Sequence, residues 1–172
     1  MKKTLLVCGL IYCFVNSQAQ SPIKYTAKVE AGYHLFLSRP LKIDAVDGGI
    51  GYQLGGKPNG LDLSLVNGIS LKRNVRLGLG ISYLNYEGIN GFSVFGDFDY
   101  VIIKASLAPV FNLKLGSSHI NNQYVNGSTV AFVDFSGGVE HKVGEKLSIQ
   151  YKAGFRFVHQ SIFLPIRIGA RF

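Results

Sequence analysis

Residues Ser161 to Phe172 (SIFLPIRIGARF) alternate in type to the last position. Ile162, Leu164, Ile166, Ile168, Ala170 and Phe172 are apolar, while the positions between them include Arg167, Gly169 and Arg171. Successive side chains of a strand point to opposite faces, so one face of this strand is oily and the other carries two guanidinium groups. A terminal strand of a soluble protein tends to fray and gains little from such a pattern, whereas a strand that closes a transmembrane barrel ends at an aromatic interface. We therefore expect a closing strand, with Phe172 as the C-terminal closing signal for a barrel-assembly machinery.

The same alternation recurs along the chain and predicts eight strands. They are Tyr25–Leu37, Leu61–Leu71, Val75–Tyr86, Phe92–Ile102, Leu107–Ser117, Ser128–His141, Leu147–Val158 and Ser161–Phe172. Two carry local signals. Asn67 breaks the apolar face of the second strand, which predicts a bulge beside Gly68. Pro109 lacks a ladder donor and belongs near the start of the fifth strand. The connections after strands one, three and five read as long or polar (38–60, 87–91 and 118–127). Those after strands two, four and six read as short (near Asn74, near Lys104, and 142–146), and the link 159–161 is short as well. Short turns at one rim and longer loops at the other predict both termini in the periplasm and the loops outside.

Composition sharpens this. The 172 residues suit one domain, and 47% hydrophobic residues with 21 glycines fit a β-rich membrane or secreted chain. No run reaches the ~18 apolar residues of a spanning helix. Lys2 and Lys3, an apolar run from Thr4 to Val15, and small residues before Gln20 predict a signal peptide over residues 1–19 and a mature domain over 20–172. Cys8 and Cys13 fall within that leader, so no mature disulfide or thiolate site is expected. Tyr12 is too large for the small residue that precedes a lipidated cysteine. Loss of the two leader lysines lowers the net charge from +8 to +6. The sequence pI of about 9.5 comes with no aromatic-interleaved basic cluster, which argues against a nucleic-acid partner.

A soluble barrel with its apolar face inward would show the same alternation. Aromatic residues at the strand ends favour the inverted arrangement: Tyr25, Tyr100, Tyr151 and Phe172 toward one rim, and Tyr33, Tyr83, Phe92 and Phe157 toward the other. With Asn67-Gly68, Leu77-Gly78-Leu79-Gly80, Phe95 to Tyr100, and Pro109 through Leu113-Lys114-Leu115-Gly116, the chain resembles the small outer-membrane β-barrel domain family. The resemblance covers nearly the whole mature sequence and implies an all-β, eight-stranded antiparallel up-and-down transmembrane barrel of the OmpA/OmpX type, integral to the cell outer membrane. It implies a fold and carries no activity with it.

Face assignment sorts the charges. Lys28, Arg76, Lys114, Lys152, Arg156, Arg167 and Arg171 fall on the inward face with Glu30, Asp62, Asp97, Asp99, Asp134 and Glu140. A bore this narrow holds little but side chains, and desolvated charges must pair, so we expect a filled polar lumen with an ion-pair network. A narrow porin-like pore is the competing reading. Outside the membrane span, the short-turn rim holds Lys24, Lys72, Arg73, Lys104, Lys142 and Lys146 against Glu145, a basic surface for membrane lipids.

An outer-leaflet lipid hydrolase or acyltransferase would need a nucleophile, a base and an orienting group. The candidates at the loop end are His34, His119 and His159 with Ser38, Ser117, Ser118 and Ser161, and Asp44, Asp47 and Glu87 as orienters. No local motif joins any pair, His34 points inward by parity, and no ligand spacing suggests a metal or other cofactor. The expectation is a non-enzymatic structural or interaction protein of the envelope. The long loop 38–60, with Ile50-Gly51-Tyr52-Gln53-Leu54 as a strand-like run, is the candidate surface for an extracellular ligand.

Overall fold

The computed structural model describes residues 23–38, 42–43, 52–53, 59–71, 74–86, 89–102, 105–121, 127–158 and 161–172. The expected leader, His159, Asp44, Asp47, Glu87, Lys72, Arg73 and Lys104 lie outside them. The described residues form ten strands: β1 (Lys24–Ser38), β2 (Lys42–Ile43), β3 (Tyr52–Gln53), β4 (Gly60–Leu71), β5 (Val75–Tyr86), β6 (Ile89–Val101), β7 (Leu107–Ile120), β8 (Ser128–Lys142), β9 (Ser148–Val158) and β10 (Ser161–Arg171). Eight of them close a barrel in the order β1-β10-β9-β8-β7-β6-β5-β4, each neighbouring pair antiparallel. This is the up-and-down barrel that the alternation predicts. The two-residue strands β2 and β3 pair with each other within the 38–60 loop, Ile43 opposite Tyr52.

Closure is made by the terminal strand. β10 pairs with β1 from Lys28↔Arg171 to Phe36↔Phe163, and the Phe172 backbone extends the ladder by exchanging hydrogen bonds with Ala27 at 2.8 and 3.2 Å. From Lys28 to Phe36 the register is continuous, and it shifts by one residue before Ser38↔Ile162 at the loop end; backbone pairing along the seam is what a hydrocarbon solvent requires.

Exposure alternates along each barrel strand and runs opposite to a soluble core. Val29, Leu63, Leu65, Leu77, Leu79, Ile81, Val94, Leu115, Ile166 and Ile168 are exposed, whereas Lys28, Glu30, Asp134, Lys152 and Arg167 are buried. The eight aromatic residues named above for the two rims all face outward and are exposed. Tyr83 and Phe92 pack edge to face with ring centroids 5.6 Å apart. An apolar belt, mostly aliphatic with Phe135 and Phe155 within it and bounded by aromatic rings, is a surface fitted to a bilayer.

Two expectations about the strands are corrected. β4 pairs in unbroken register with both neighbours through Asn67 and Gly68, so no bulge is present. Asn67 instead faces outward and accepts a 2.6 Å hydrogen bond from the Tyr25 hydroxyl, which satisfies the amide oxygen from the adjacent strand. The link after the third barrel strand is also shorter than 87–91: Tyr86 pairs with Ile89, so Asn90 and Gly91 belong to β6 and only two residues separate the strands. The two longer connections of the loop end are therefore 39–59 and 121–127, and the other two, 87–88 and 159–160, are two residues each.

Small bore and strong strand coiling leave inward positions crowded. At Gly138, which faces inward, an added Cβ would lie 1.9 Å from the Tyr151 carbonyl oxygen, while at Gly137, on the outward face, it would meet nothing within 4 Å. Gly138→Ala is expected to lower stability by about 1–3 kcal/mol through overpacking, and Gly137→Ala to leave it nearly unchanged. Urea unfolding of both variants in lipid vesicles measures the contrast; equal effects would contradict the assigned faces.

Candidate functional site

The inward face holds the chemistry. Between the seam of β1 and β10 and the opposite wall, the structure brings together seven cations and six carboxylates: Lys28, Arg76, Lys114, Lys152, Arg156, Arg167 and Arg171 with Glu30, Asp62, Asp97, Asp99, Asp134 and Glu140. All are buried except Arg76, whose side chain is 12% exposed near the short-turn end. Parity alone selects these positions, because each lies on the face opposite the lipid-facing residues of its own strand.

Their partners lie across the bore as well as beside it. Glu30 on β1 receives Lys114 from β7, on the far wall, and Lys152 from β9 at 2.5 Å, with Lys28 at 3.7 Å and Arg167 at 3.5 Å. Toward the short-turn end, Arg171 pairs with Asp99 on the opposite wall, and Lys28 Nζ donates to both oxygens of Asp97 at 2.9 and 2.8 Å. Asn112 donates to Asp97 at 2.8 Å and to Asp99 at 2.7 Å, holding the two carboxylates side by side. Arg76 forms a fork with Glu140, whose remaining capacity is taken by Gln150 at 2.7 Å. Higher in the barrel, Arg167 forks onto Asp134 and approaches Asp62 at 3.7 Å.

Above this charged tier the interior turns apolar. Val66, Leu84, Tyr86, Ile89, Phe95, Ile120, Phe132, Val158 and Phe163 form one buried cluster that runs from the loop end, at Tyr86, Ile89, Ile120 and Phe163, to mid-strand Val66 and Phe95, with Phe36 and Val130 packed against it. Arg156 joins the tiers. Its guanidinium lies 3.8 Å over the Phe132 ring and donates to Ser118 Oγ at 2.8 Å, with Asp62 3.9 Å away. Lys114 similarly lies over Phe95 at 4.9 Å. A polar layer and an apolar cap thus share the interior.

The candidate catalytic residues separate. His34 is buried at the junction of the tiers, 3.0 Å from the Tyr86 hydroxyl through Nδ1 and 3.3 Å from Asp62 through Nε2. Ser38, four residues on, is exposed at the loop rim. Ser118 faces inward and bonds Ser93 at 2.7 Å, and Ser161 is buried, whereas Ser117 faces outward. His119 Nδ1 lies 2.9 Å from the Thr129 hydroxyl on the neighbouring strand, at the outer aromatic rim. Among the described residues no group of three His, Cys, Asp or Glu side chains could hold a metal ion.

No protein-family model matches the chain. No curated protein matches it either. Solved structures do: Neisserial surface protein A (NspA) at a TM-score of 0.64 and 11% identity, covering 88% of this chain and 98% of that one. The N-terminal β-barrel domain of Pseudomonas aeruginosa OprF matches at 0.57 and 13%, covering 88% and 100%. The outer membrane enzyme PagL matches at 0.51 and 13%, covering 84% and 98%. The fold is that of the small eight-stranded outer-membrane barrels. At such identities the likeness is one of architecture and does not reach to the residues of the interior.

That interior contains what sequence reasoning passed over, namely the apolar cap and the polar linkers Asn112, Gln150, Ser93 and Ser118. The signal for the cap was present: after Tyr83 the order of apolar and polar residues inverts, with Leu84 and Tyr86 inward and Asn85 outward. Because four cations converge on Glu30, Glu30→Gln leaves buried positive charge without its counter-ion and is expected to cost about 3–5 kcal/mol, much of it restored by adding Lys152→Met. Unfolding free energies of the single and double variants in vesicles measure this; a neutral Glu30→Gln would contradict the network.

Proposed function

We propose that this barrel is integral to the cell outer membrane, with a closed lumen, and serves the envelope as a structural or interaction protein without catalysing a reaction. The observation that carries the reading is the inversion itself: aliphatic and aromatic side chains face out on every barrel strand while thirteen charged side chains pair within. Burying those charges would be costly unless each has partners, and a surface so apolar is unstable in water.

The closed lumen follows from the fit of the two tiers. The cation and carboxylate side chains meet across the bore and the aromatic and aliphatic cap packs against them, which supports a bore that offers water and ions no polar path. Both termini lie toward the short-turn rim in this reading, in the periplasm, with β10 and Phe172 as the elements offered to the assembly machinery and loop 38–60 as the surface for an extracellular ligand. A leader over residues 1–19 would deliver the chain there.

A lipid-modifying enzyme is the second reading, and the His119–Thr129 pair is the observation that favours it, since a base within reach of a hydroxyl at the outer rim is the start of a nucleophilic site. Against it, no carboxylate bonds His119 among the described residues, and His34 is held by Tyr86, Asp62 and Arg167 inside the barrel. Purified protein is expected to give no ohmic steps in planar bilayers and no deacylation of outer-leaflet lipid. Stable conductance would refute the closed lumen. Deacylation abolished by His119→Ala would replace the non-enzymatic reading with the second.

A further inference from the structure

The short-turn rim carries charge that the network does not use. Lys24 on β1 is exposed, and so, two strands away around the barrel at the turn between β9 and β8, are Lys142 and Lys146, with Glu145 as the acid beside them. No ion pair among the described residues engages the three lysines. The sequence adds Lys72, Arg73 and Lys104 in the two other short connections.

Apolar side chains share that rim. Ile23, Ile102, Leu107 and Val143 are exposed large apolar side chains at this same rim. Ile23 and Ile102 lie one step along their faces beyond Tyr25 and Tyr100 of the aromatic belt, and Val143 sits in the turn itself. Apolar surface that continues into the turns is poorly suited to water, and a soluble acidic polymer would leave it uncovered. Lysine is suited to such a place, because its methylene stem can lie along apolar neighbours while the ammonium reaches a phosphate.

We propose that this collar binds anionic phospholipid: headgroup phosphates on Lys24, Lys142 and Lys146, with acyl chains along Ile23, Ile102, Leu107 and Val143. The inference rests on the membrane reading above and adds a ligand class and a set of residues to it. Each lysine held at a negatively charged lipid surface strengthens attachment on the order of fivefold, an effect that salt weakens.

The test compares wild type with Lys24→Gln/Lys142→Gln/Lys146→Gln in phosphatidylcholine vesicles with and without phosphatidylglycerol in both leaflets, so that either orientation meets it. Wild type should gain folded population in urea as phosphatidylglycerol is added, by roughly fivefold per lysine engaged, and lose the gain in high salt. The triple variant should fold in phosphatidylcholine as wild type does and gain little from the anionic lipid. Replacing the same lysines by arginine should keep the gain, and Glu145→Gln should enlarge it. Equal gains for wild type and the glutamine variant, or insertion of wild type with no gain, would overturn this inference alone. Binding of the collar to soluble acidic glycan strands without a lipid response would overturn it in favour of a different partner. Failure of wild type to insert in either vesicle would overturn the membrane reading with it.

Discussion

Charge compensation inside a narrow bore is the constraint on which the rest of this barrel depends. An eight-stranded barrel has room within it for side chains and little else, so a charge placed there meets another charge or stays uncompensated at a cost of several kcal/mol. Here the bonds run across the bore: Glu30 to Lys114, Arg171 to Asp99, Lys28 to Asp97. Such bonds tie walls that the hydrogen-bond ladder connects only the long way round. β10 holds both roles, since its outward face meets lipid beside β1 while Arg167 and Arg171 on its inward face meet carboxylates of β8 and β6. Closing the barrel and filling it are one structural event.

The exterior obeys the complementary rule. Polar groups facing hydrocarbon must be satisfied by the protein itself, and the Asn67 amide oxygen is, by Tyr25. At the outer rim, Tyr83 and Asn85 both donate to Asn90, at 2.6 and 2.7 Å. These polar contacts sit at the ends of the belt, where the bilayer becomes wet, and the middle of the belt is apolar, aliphatic side chains with the Phe135–Phe155 pair among them. At the loop end the interior is apolar too, so that rim offers hydrophobic side chains on the inside and hydrogen-bonding groups on the outside.

The fold was legible because a membrane barrel writes itself with period two, and one misplaced residue would move every side chain to the wrong face. Parity alone put Asp97, Lys114, Asp134 and Arg156 on the inward face. It could not say which cation meets which carboxylate, because partners such as Arg171 and Asp99 are set by barrel order and shear, which no local pattern carries. The misread features share a cause. Asn90-Gly91 carries a turn signal that strand pairing overrides. Asn67 looked like a fault because its partner lies 42 residues away in sequence. The apolar cap hid where alternation inverts, near Leu84 and Tyr86, and residues such as Phe95 and Phe163 stood out only once the interior was assembled.

The most direct test of the account is a double-mutant cycle across the bore on Arg171 and Asp99, with Arg171→Met, Asp99→Leu and the double variant unfolded in lipid vesicles. If buried pairing holds the barrel together, each single variant loses several kcal/mol and the double variant recovers much of the loss, because no unpaired charge remains. Losses that simply add would mean the two side chains do not meet in the folded barrel, and the filled, charge-compensated lumen would have to be given up.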